Sequence, residues 1–133
     1  MTICRSEPIK FTIPIAPVTK KNHSQIVKNG SKTYLIPSKQ YREYEESAMY
    51  FMPKNEPINH PVQVKCVFFM PSMRRVDLVN LLAAIDDILV KAQVLSDDNC
   101  KIIVSHDGSR VDFDKNFPRT EITISEIKER KDF

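Results

Sequence analysis

Five aspartates and no glutamate occur in residues 74–99 (RRVDLVNLLAAIDDILVKAQVLSDDN), a stretch that also carries the spacing of an apolar helix. Over residues 77–114 all eight acidic residues are aspartates. Carboxylates gathered from separate parts of a chain repel one another unless a cation lies among them. Oxygen ligands without cysteine or a spaced pair of histidines favour Mg²⁺ or Mn²⁺. The candidates for such a site are Asp77, Asp97 and Asp98.

Each candidate also has an ordinary structural interpretation. Asp77 stands where a helix begins, and its carboxylate could accept hydrogen bonds from the amides of the first turn. Asp97 and Asp98 could form a polar turn with a capping role. Asp86 and Asp87 are excluded as partners of Asp77, because they lie about 13 to 15 Å farther along the helix axis.

A helix is predicted after Asp77, because apolar residues recur there at spacings of three and four and would form one stripe against a sheet. Its members are Leu78, Leu81, Leu82, Ile85, Ile88, Leu89 and Ala92. Asp87 and Lys91 stand four residues apart on the opposite face, so we expect them to form a surface ion pair. Asp86 lies on another flank, beside Val79, Ala83 and Val90.

The remaining pattern predicts the elements that position these aspartates. In chain order they are a strand at 10–15, a hairpin at 26–36 around Asn29-Gly30, a helix capped by Ser38 and ending before Pro53, a strand at 62–69, the helix described above, and strands at 101–105 and 120–127. This order predicts an α+β fold, a mixed β-sheet with two main helices packed on it. If the strand at 101–105 returns beside the strand at 62–69, we expect Asp97 and Asp98 to meet Asp77.

Size and composition limit the class of protein. The 133 residues, 41% of them hydrophobic, build one core, so residues 1–133 form a single domain with frayed ends at 1–7 and 128–133. No run of eighteen apolar residues and no export signal occurs, which predicts a cytoplasmic protein without membrane contact. The three cysteines, Cys4, Cys66 and Cys100, are far apart and are expected to be free thiols.

The net charge of +3 is distributed unevenly along the chain. Every charged residue between Glu7 and Glu43 is basic: Lys10, Lys20, Lys21, Lys28, Lys32, Lys39 and Arg42. A cationic surface beside an anionic pocket suits a polyanion such as nucleic acid. The alternative is a solvated lysine-rich loop and an acidic turn region, which charge alone favours.

The stretch at 74–99 resembles the signature of the RusA family of Holliday junction resolvases, in which an Arg-rich segment precedes a helix opening with aspartates and a later Asp-Asp pair. PIAPVTKKN, the hairpin, PSKQYREYEE and PRTEITISEI extend the resemblance over most of the chain. It implies a homodimeric Mg²⁺-dependent endodeoxyribonuclease, in which Mn²⁺ substitutes and no organic cofactor is needed. Such an enzyme binds four-way DNA junctions and nicks two opposing strands during recombination and repair. Phages and prophages often carry family members.

Carried over residue by residue, the resemblance makes Asp77 the first aspartate of the motif and Asn80 its asparagine. Asp97 and Asp98 are the later pair, with Asp98 as the usual ligand. The implied catalytic residues are Asp77, Asp98 and Asp97, with Asn80 as a further oxygen donor to the metal. His106-Asp107 is an additional candidate if the preceding strand returns toward the site. The expected DNA contacts are Lys20, Lys21, Lys28, Lys32, Arg74 and Arg75.

Two positions depart from the family pattern. Val79 stands where the family has a second aspartate, and Ala83 stands where it has a catalytic lysine. These departures leave open a catalytically impaired, junction-binding or architectural protein of the same fold. A third alternative, an RNA-binding module, lacks an aromatic stacking platform, because Tyr34, Tyr41 and Tyr44 are better explained as packing residues.

Overall fold

The computed structural model describes residues 7–20, 25–36 and 38–127. The elements within them are β1 (Ile9–Ile13), β2 (Gln25–Asn29), β3 (Lys32–Ile36), α1 (Lys39–Ala48), a 3₁₀ turn (Met49–Phe51), β4 (Val62–Met70), α2 (Leu78–Lys91), β5 (Ile103–Ser105), β6 (Arg110–Phe113) and β7 (Arg119–Glu126). The predicted α+β class and both predicted helices are confirmed. The predicted frayed ends, Lys21 and Cys4 lie outside the described residues.

Five strands form one mixed sheet in the order β1-β7-β4-β5, and β6 pairs with β4 as well. β7 runs antiparallel to both of its neighbours, whereas β5 and β6 run parallel to β4. β5 pairs with the beginning of β4 and β6 with its end, so the two short strands follow one another along the same side of β4. The hairpin β2–β3 forms a separate two-stranded sheet.

The core lies between this sheet and the two helices. Alternate residues of β4 point into it, and all four are buried: Val62, Val64, Cys66 and Phe68. The predicted stripe of α2 packs against them through its buried members Leu81, Ile85, Ile88 and Leu89. Fully burying an aliphatic side chain of this size stabilises a fold by about 1.5–3 kcal/mol. This face therefore fixes how α2 is oriented over the sheet.

The two helices begin differently. Ser38 caps α1 as predicted, because its Oγ accepts the backbone N–H of Tyr41 at 3.1 Å. Asp77 occupies the equivalent position before α2, but its side chain makes no capping hydrogen bond. The capping role expected for the Asp77 carboxylate is therefore wrong, and this carboxylate is available for another purpose.

Two local predictions need correction. The sequence assigned the segment between the last two predicted strands to a loop, whereas Arg110–Phe113 form β6. The four residues alternate polar and apolar side chains, but they stand between the turn-prone stretches HDGS and DKNFP, which favoured a loop. The predicted ion pair between Asp87 and Lys91 does not form. Lys91 instead contacts Glu45 of α1 at 2.9 Å, and Asp87 contacts Lys20 at 3.3 Å.

Other predictions agree with the structure. Cys66 is buried, Cys100 is exposed, and both are free thiols. Tyr41 and Tyr44 are buried packing residues of α1. Among the described residues, none of the helices combines the length and the apolar character that a membrane span requires.

Candidate active site

Asp77 lies exposed on the connection between β4 and α2. Its Oδ2 accepts a hydrogen bond from Nδ2 of Asn80 at 3.3 Å, so the two residues that the motif pairs are brought together. This amide orientation leaves the side-chain oxygen of Asn80 directed away from the carboxylate. Arg74 and Arg75 lie exposed just before Asp77. Within the part of the chain that the structure describes, no carboxylate forms an ion pair with either arginine.

Asp97 and Asp98 lie in the exposed turn between α2 and β5. Both oxygens of Asp97 are engaged locally: Oδ1 accepts the backbone N–H of Asp98 at 2.7 Å, and Oδ2 accepts Nδ2 of Asn99 at 3.1 Å. The pKa of Asp98 is raised, first by partial burial and then by the carboxylates of Asp97 and Asp87. Like charges gathered without a compensating cation have this effect. Because both oxygens of Asp97 already accept local hydrogen bonds, Asp98 is the member of the pair better placed to bind a ligand.

The two parts of the predicted site lie at opposite ends of β4. Asp77 follows the carboxyl end of this strand. Asp97 and Asp98 precede β5, whose first residue, Ile103, pairs with Val62 at the amino end of β4. β4 has nine residues, and a strand of that length spans roughly 27–30 Å. The parallel return of the chain therefore separates these aspartates, and the expected meeting of Asp77 with Asp97 and Asp98 does not occur within one chain.

The predicted metal site does not fit a single chain. Over residues 7–20, 25–36 and 38–127, no three His, Cys, Asp or Glu side chains are grouped closely enough to hold a metal ion. The oxygen donors themselves suit a hard divalent cation, but one chain does not assemble them. The ligand roles of Asp77, Asn80, Asp97 and Asp98 thus remain proposals.

His106 joins the sheet to α2 and is not placed as a metal ligand. Its Nδ1 lies 2.8 Å from the carbonyl oxygen of Val64, and its Nε2 lies 3.0 Å from Oδ2 of Asp86. Both neighbouring atoms are acceptors, so the ring donates to both only when it is protonated. The pKa of His106 is accordingly raised, chiefly by the hydrogen bond to Asp86, while burial acts in the opposite direction. Asp107, also considered in the sequence, is exposed and lies outside this contact.

The contact between Asp86 and His106 was missed in the sequence. Asp86 is mostly buried, and its second oxygen, Oδ1, has no partner within the described residues. A signal was present, because Asp86 shares a helix flank with Val79, Ala83 and Val90. An acid among apolar residues is half-buried and requires a donor from another element. The sequence did not indicate which of the three histidines would supply it.

The predicted DNA-binding residues fall into three groups. Lys28 and Lys32 are exposed at the end of the hairpin β2–β3. Lys20 is half-buried and engaged with Asp87, so it belongs to the structural contacts of α2. Arg74 and Arg75 complete the set beside Asp77.

Exposed apolar side chains surround the carboxyl end of β4. Met73 is 84% exposed, Val79 is 71% exposed, and Phe113 is 44% exposed. Val111 and Phe113 of β6 line a groove together with Met73 and Arg74. Val79 lies in the first turn of α2, two residues after Asp77. The surface around Asp77 is therefore both apolar and cationic.

The sequence matches the family Endodeoxyribonuclease RusA over residues 14–125. This region includes β2 through β6 and both helices, and it contains Asp77, Asn80, Asp97 and Asp98. No curated protein matches the sequence.

Proposed function

Because this chain belongs to the RusA endodeoxyribonuclease family, a family of Holliday junction endonucleases, we propose that it resolves four-way DNA junctions by paired, Mg²⁺-dependent nicks. The observation that carries the proposal is the exposed carboxylate of Asp77, which is in contact with the side-chain amide of Asn80. It makes no capping hydrogen bond, and Arg74 and Arg75 lie beside it without an ion pair to any carboxylate in the described part of the chain. A carboxylate beside free guanidinium groups suits a site that receives a phosphodiester.

The proposed metal ligands are Asp77, Asn80, Asp97 and Asp98, with Mn²⁺ as an alternative to Mg²⁺. A divalent cation held by these oxygens would activate water and neutralise charge on the phosphate. The neighbouring Arg74 and Arg75 would hold the phosphate in place. Of the later pair, Asp98 is the better candidate, since both oxygens of Asp97 already accept local hydrogen bonds.

We propose that two copies of the chain complete each site. Among the described strands, β5 and β6 each pair with β4 on one side and with no strand on the other. Together they form an outer edge of the sheet. Asp77 lies near the β6 end of this edge, and Asp98 lies near its β5 end. A two-fold axis through the middle of the edge would bring the β6 end of one copy beside the β5 end of the other. Asp77 of one copy and Asp98 of its partner would then share a site.

The exposed apolar residues support the same arrangement. Met73, Val111 and Phe113 lie at or near the β6 end of the outer edge and remain exposed in one copy. Large exposed apolar patches on a soluble protein mark sites of association. A second copy that covered them would remove this surface from water. A dimer also matches the two-fold symmetry of a four-way junction, in which paired nicks require two related sites.

The test is to mix two inactive variants. We expect Asp77→Asn and Asp98→Asn each to abolish cleavage of a synthetic four-way junction while junction binding is kept. In a mixed dimer, one site would lose both ligands and the other would keep both. A one-to-one mixture should then regain about a quarter of the wild-type sites and give single nicks.

The control is to mix Asp77→Asn with Asp77→Ala, which leaves no intact site in any dimer. Dissimilar affinity tags would show that mixed dimers form. If mixed dimers form and the Asp77→Asn and Asp98→Asn mixture stays inactive, the shared site is wrong. If the wild type binds junctions but never nicks them under any Mg²⁺ or Mn²⁺ concentration, the nuclease proposal itself is wrong.

One observation favours a second candidate, a junction-binding or architectural protein without catalysis. Val79 is exposed beside Asp77 and supplies no oxygen, and Ala83 one turn later supplies no cation. Tight, Mg²⁺-independent binding of a four-way junction over linear duplex, without nicks, would support this candidate.

A further inference from the structure

A groove lies beside the connection that leads from β4 to Asp77. One wall is the segment Ala16–Thr19 after β1, and the other wall is the connection itself, which contributes Arg74 and Arg75. Gln40, in the first turn of α1, also lines the groove. The groove has a volume of about 410 Å³, which is within the range of sites that hold one small ligand and far too narrow for a duplex.

The described residues that line this groove include two cations and no acid. Arg74 and Arg75 are the only charged residues among them, and no described carboxylate pairs with either. The arginines of the nearby strands differ in this respect: Arg110 contacts Asp112 at 3.7 Å, and Arg119 contacts Asp114 at 2.9 Å. Two guanidinium groups without an internal counter-ion are available to bind an external anion, and guanidinium suits phosphate.

The walls are held in place before any ligand arrives. Pro17 is buried and Pro71 stands in the opposite wall, so proline restricts the backbone on both sides. Thr19 is 4% exposed, and the ion pair of Lys20 with Asp87 anchors the end of the first wall to α2. A site formed in advance loses less conformational entropy when it binds its ligand. This anchoring gives a structural role to residues 17–20 of the PIAPVTKKN motif.

We propose that this groove seats one strand of the DNA, a single nucleotide unit at a time, and directs its phosphate toward Asp77. The inference rests on the proposed function, because it takes DNA as the substrate. The strand would enter past Gln40, its phosphates would contact Arg74 and Arg75, and the walls would exclude the paired strand. The groove thus accepts a strand that is unpaired or separated at the branch point of a junction.

The first test changes the charge at the mouth of the groove. Gln40→Lys should tighten binding of a fluorescent four-way junction in EDTA, and Gln40→Glu should weaken it, with about a tenfold difference between the two at low salt. Gln40→Glu places an acid in the first turn of α1, which the helix dipole favours, so the fold is retained. The matched controls are Gln93→Lys and Gln93→Glu. Gln93 lines a groove of nearly equal volume, about 400 Å³, and Lys54 is the one charged residue among the described residues of its lining.

The second test fills the groove. Ala16→Phe should weaken junction binding at least tenfold, because the ring would occupy the space of the strand. Ala92→Phe fills the control groove and should leave binding unchanged. The melting temperature and the sedimentation coefficient of each variant report the fold and the oligomeric state.

The outcomes separate this inference from the proposed function. If wild type binds the junction and both variants of Gln40 bind it equally, the strand does not pass through the groove. If Ala16→Phe alters the oligomeric state while the Gln40 pair has no effect, the groove is an interface between copies and the inference is overturned. Failure of the wild type to bind any junction would contradict the proposed function instead.

Discussion

Replacing His106 by alanine should destabilise the protein, and more strongly at acid pH than at alkaline pH. The side chains of His106 and Asp86 are 26% and 17% exposed, so their 3.0 Å contact is largely shielded from water. The replacement leaves Oδ2 of Asp86 and the carbonyl of Val64 without a donor, while Oδ1 of Asp86 already lacks one. Losing a charge-assisted hydrogen bond at such a site costs about 2–3 kcal/mol.

The direction of the pH dependence follows from the raised pKa of His106. The folded protein holds the proton more tightly than the unfolded chain, so protonation favours folding. The contribution is fully present below the unfolded pKa of about 6.5. It is lost as the pH rises through the higher folded pKa. Wild type and His106→Ala should therefore converge in stability toward pH 8.5.

Urea denaturation at pH 5.5, 7.0 and 8.5 measures this effect, with an unchanged m-value as evidence that the two-state comparison holds. For a domain of this size the loss at pH 5.5 corresponds to a fall in melting temperature of roughly 6–12 °C. The matched control is His60→Ala, because His60 is exposed and an exposed substitution should change stability by no more than about 0.5 kcal/mol. A loss for His106→Ala that is the same at pH 5.5 and 8.5 would refute the protonated contact.

Three further outcomes are expected. Val79→Asp should lower the Mg²⁺ concentration for half-maximal cleavage about tenfold, and its exposure of 71% means that the melting temperature should not fall; a less stable variant with no gain in metal affinity would contradict this. Lys28→Ala combined with Lys32→Ala should weaken junction binding and reduce the slope of log affinity against log salt by about two, whereas an unchanged slope would place the hairpin away from DNA. Arg119→Lys should lower the stability of the fold, measured by urea denaturation, because the guanidinium lies 3.8 Å from the ring centroid of Phe69 and lysine cannot stack in the same way; stability equal to that of wild type would show that this stacking contributes nothing.

Strong local patterns made most of the fold predictable. The stripe of α2, the cap at Ser38 and the alternation of β4 each belong to one continuous segment, so neighbouring residues carried the signal. β6 carries a weaker signal, since its four residues alternate polar and apolar side chains but are all exposed, and the strand depends on pairing with β4. Its hydrogen bonds depend on tertiary context and not on the propensity of its own residues.

The residues of the candidate site could be predicted from the sequence, but their arrangement in space could not. The motif identified Asp77 and Asn80, which are in contact, and the Asp97-Asp98 pair, which is also in contact. The sequence could not show that a parallel crossover sends the chain back to the beginning of β4 before β5 starts. That crossover separates the two halves of the motif, which is why the shared site proposed above takes its ligands from two copies of the chain.

The position of β7 has a consequence for folding during synthesis. β7 lies between β1 and β4, so the first strand of the sheet pairs only with the last, for example Ile9 with Ile124. While the ribosome is still making residues 119–126, β1 and the side of β4 that later pairs with β7 have no partner strand. Contacts between such distant residues form slowly because a long loop must close first. A growing chain therefore exposes two unpaired strand edges until its final strand emerges, and this interval is when chaperones would protect it most.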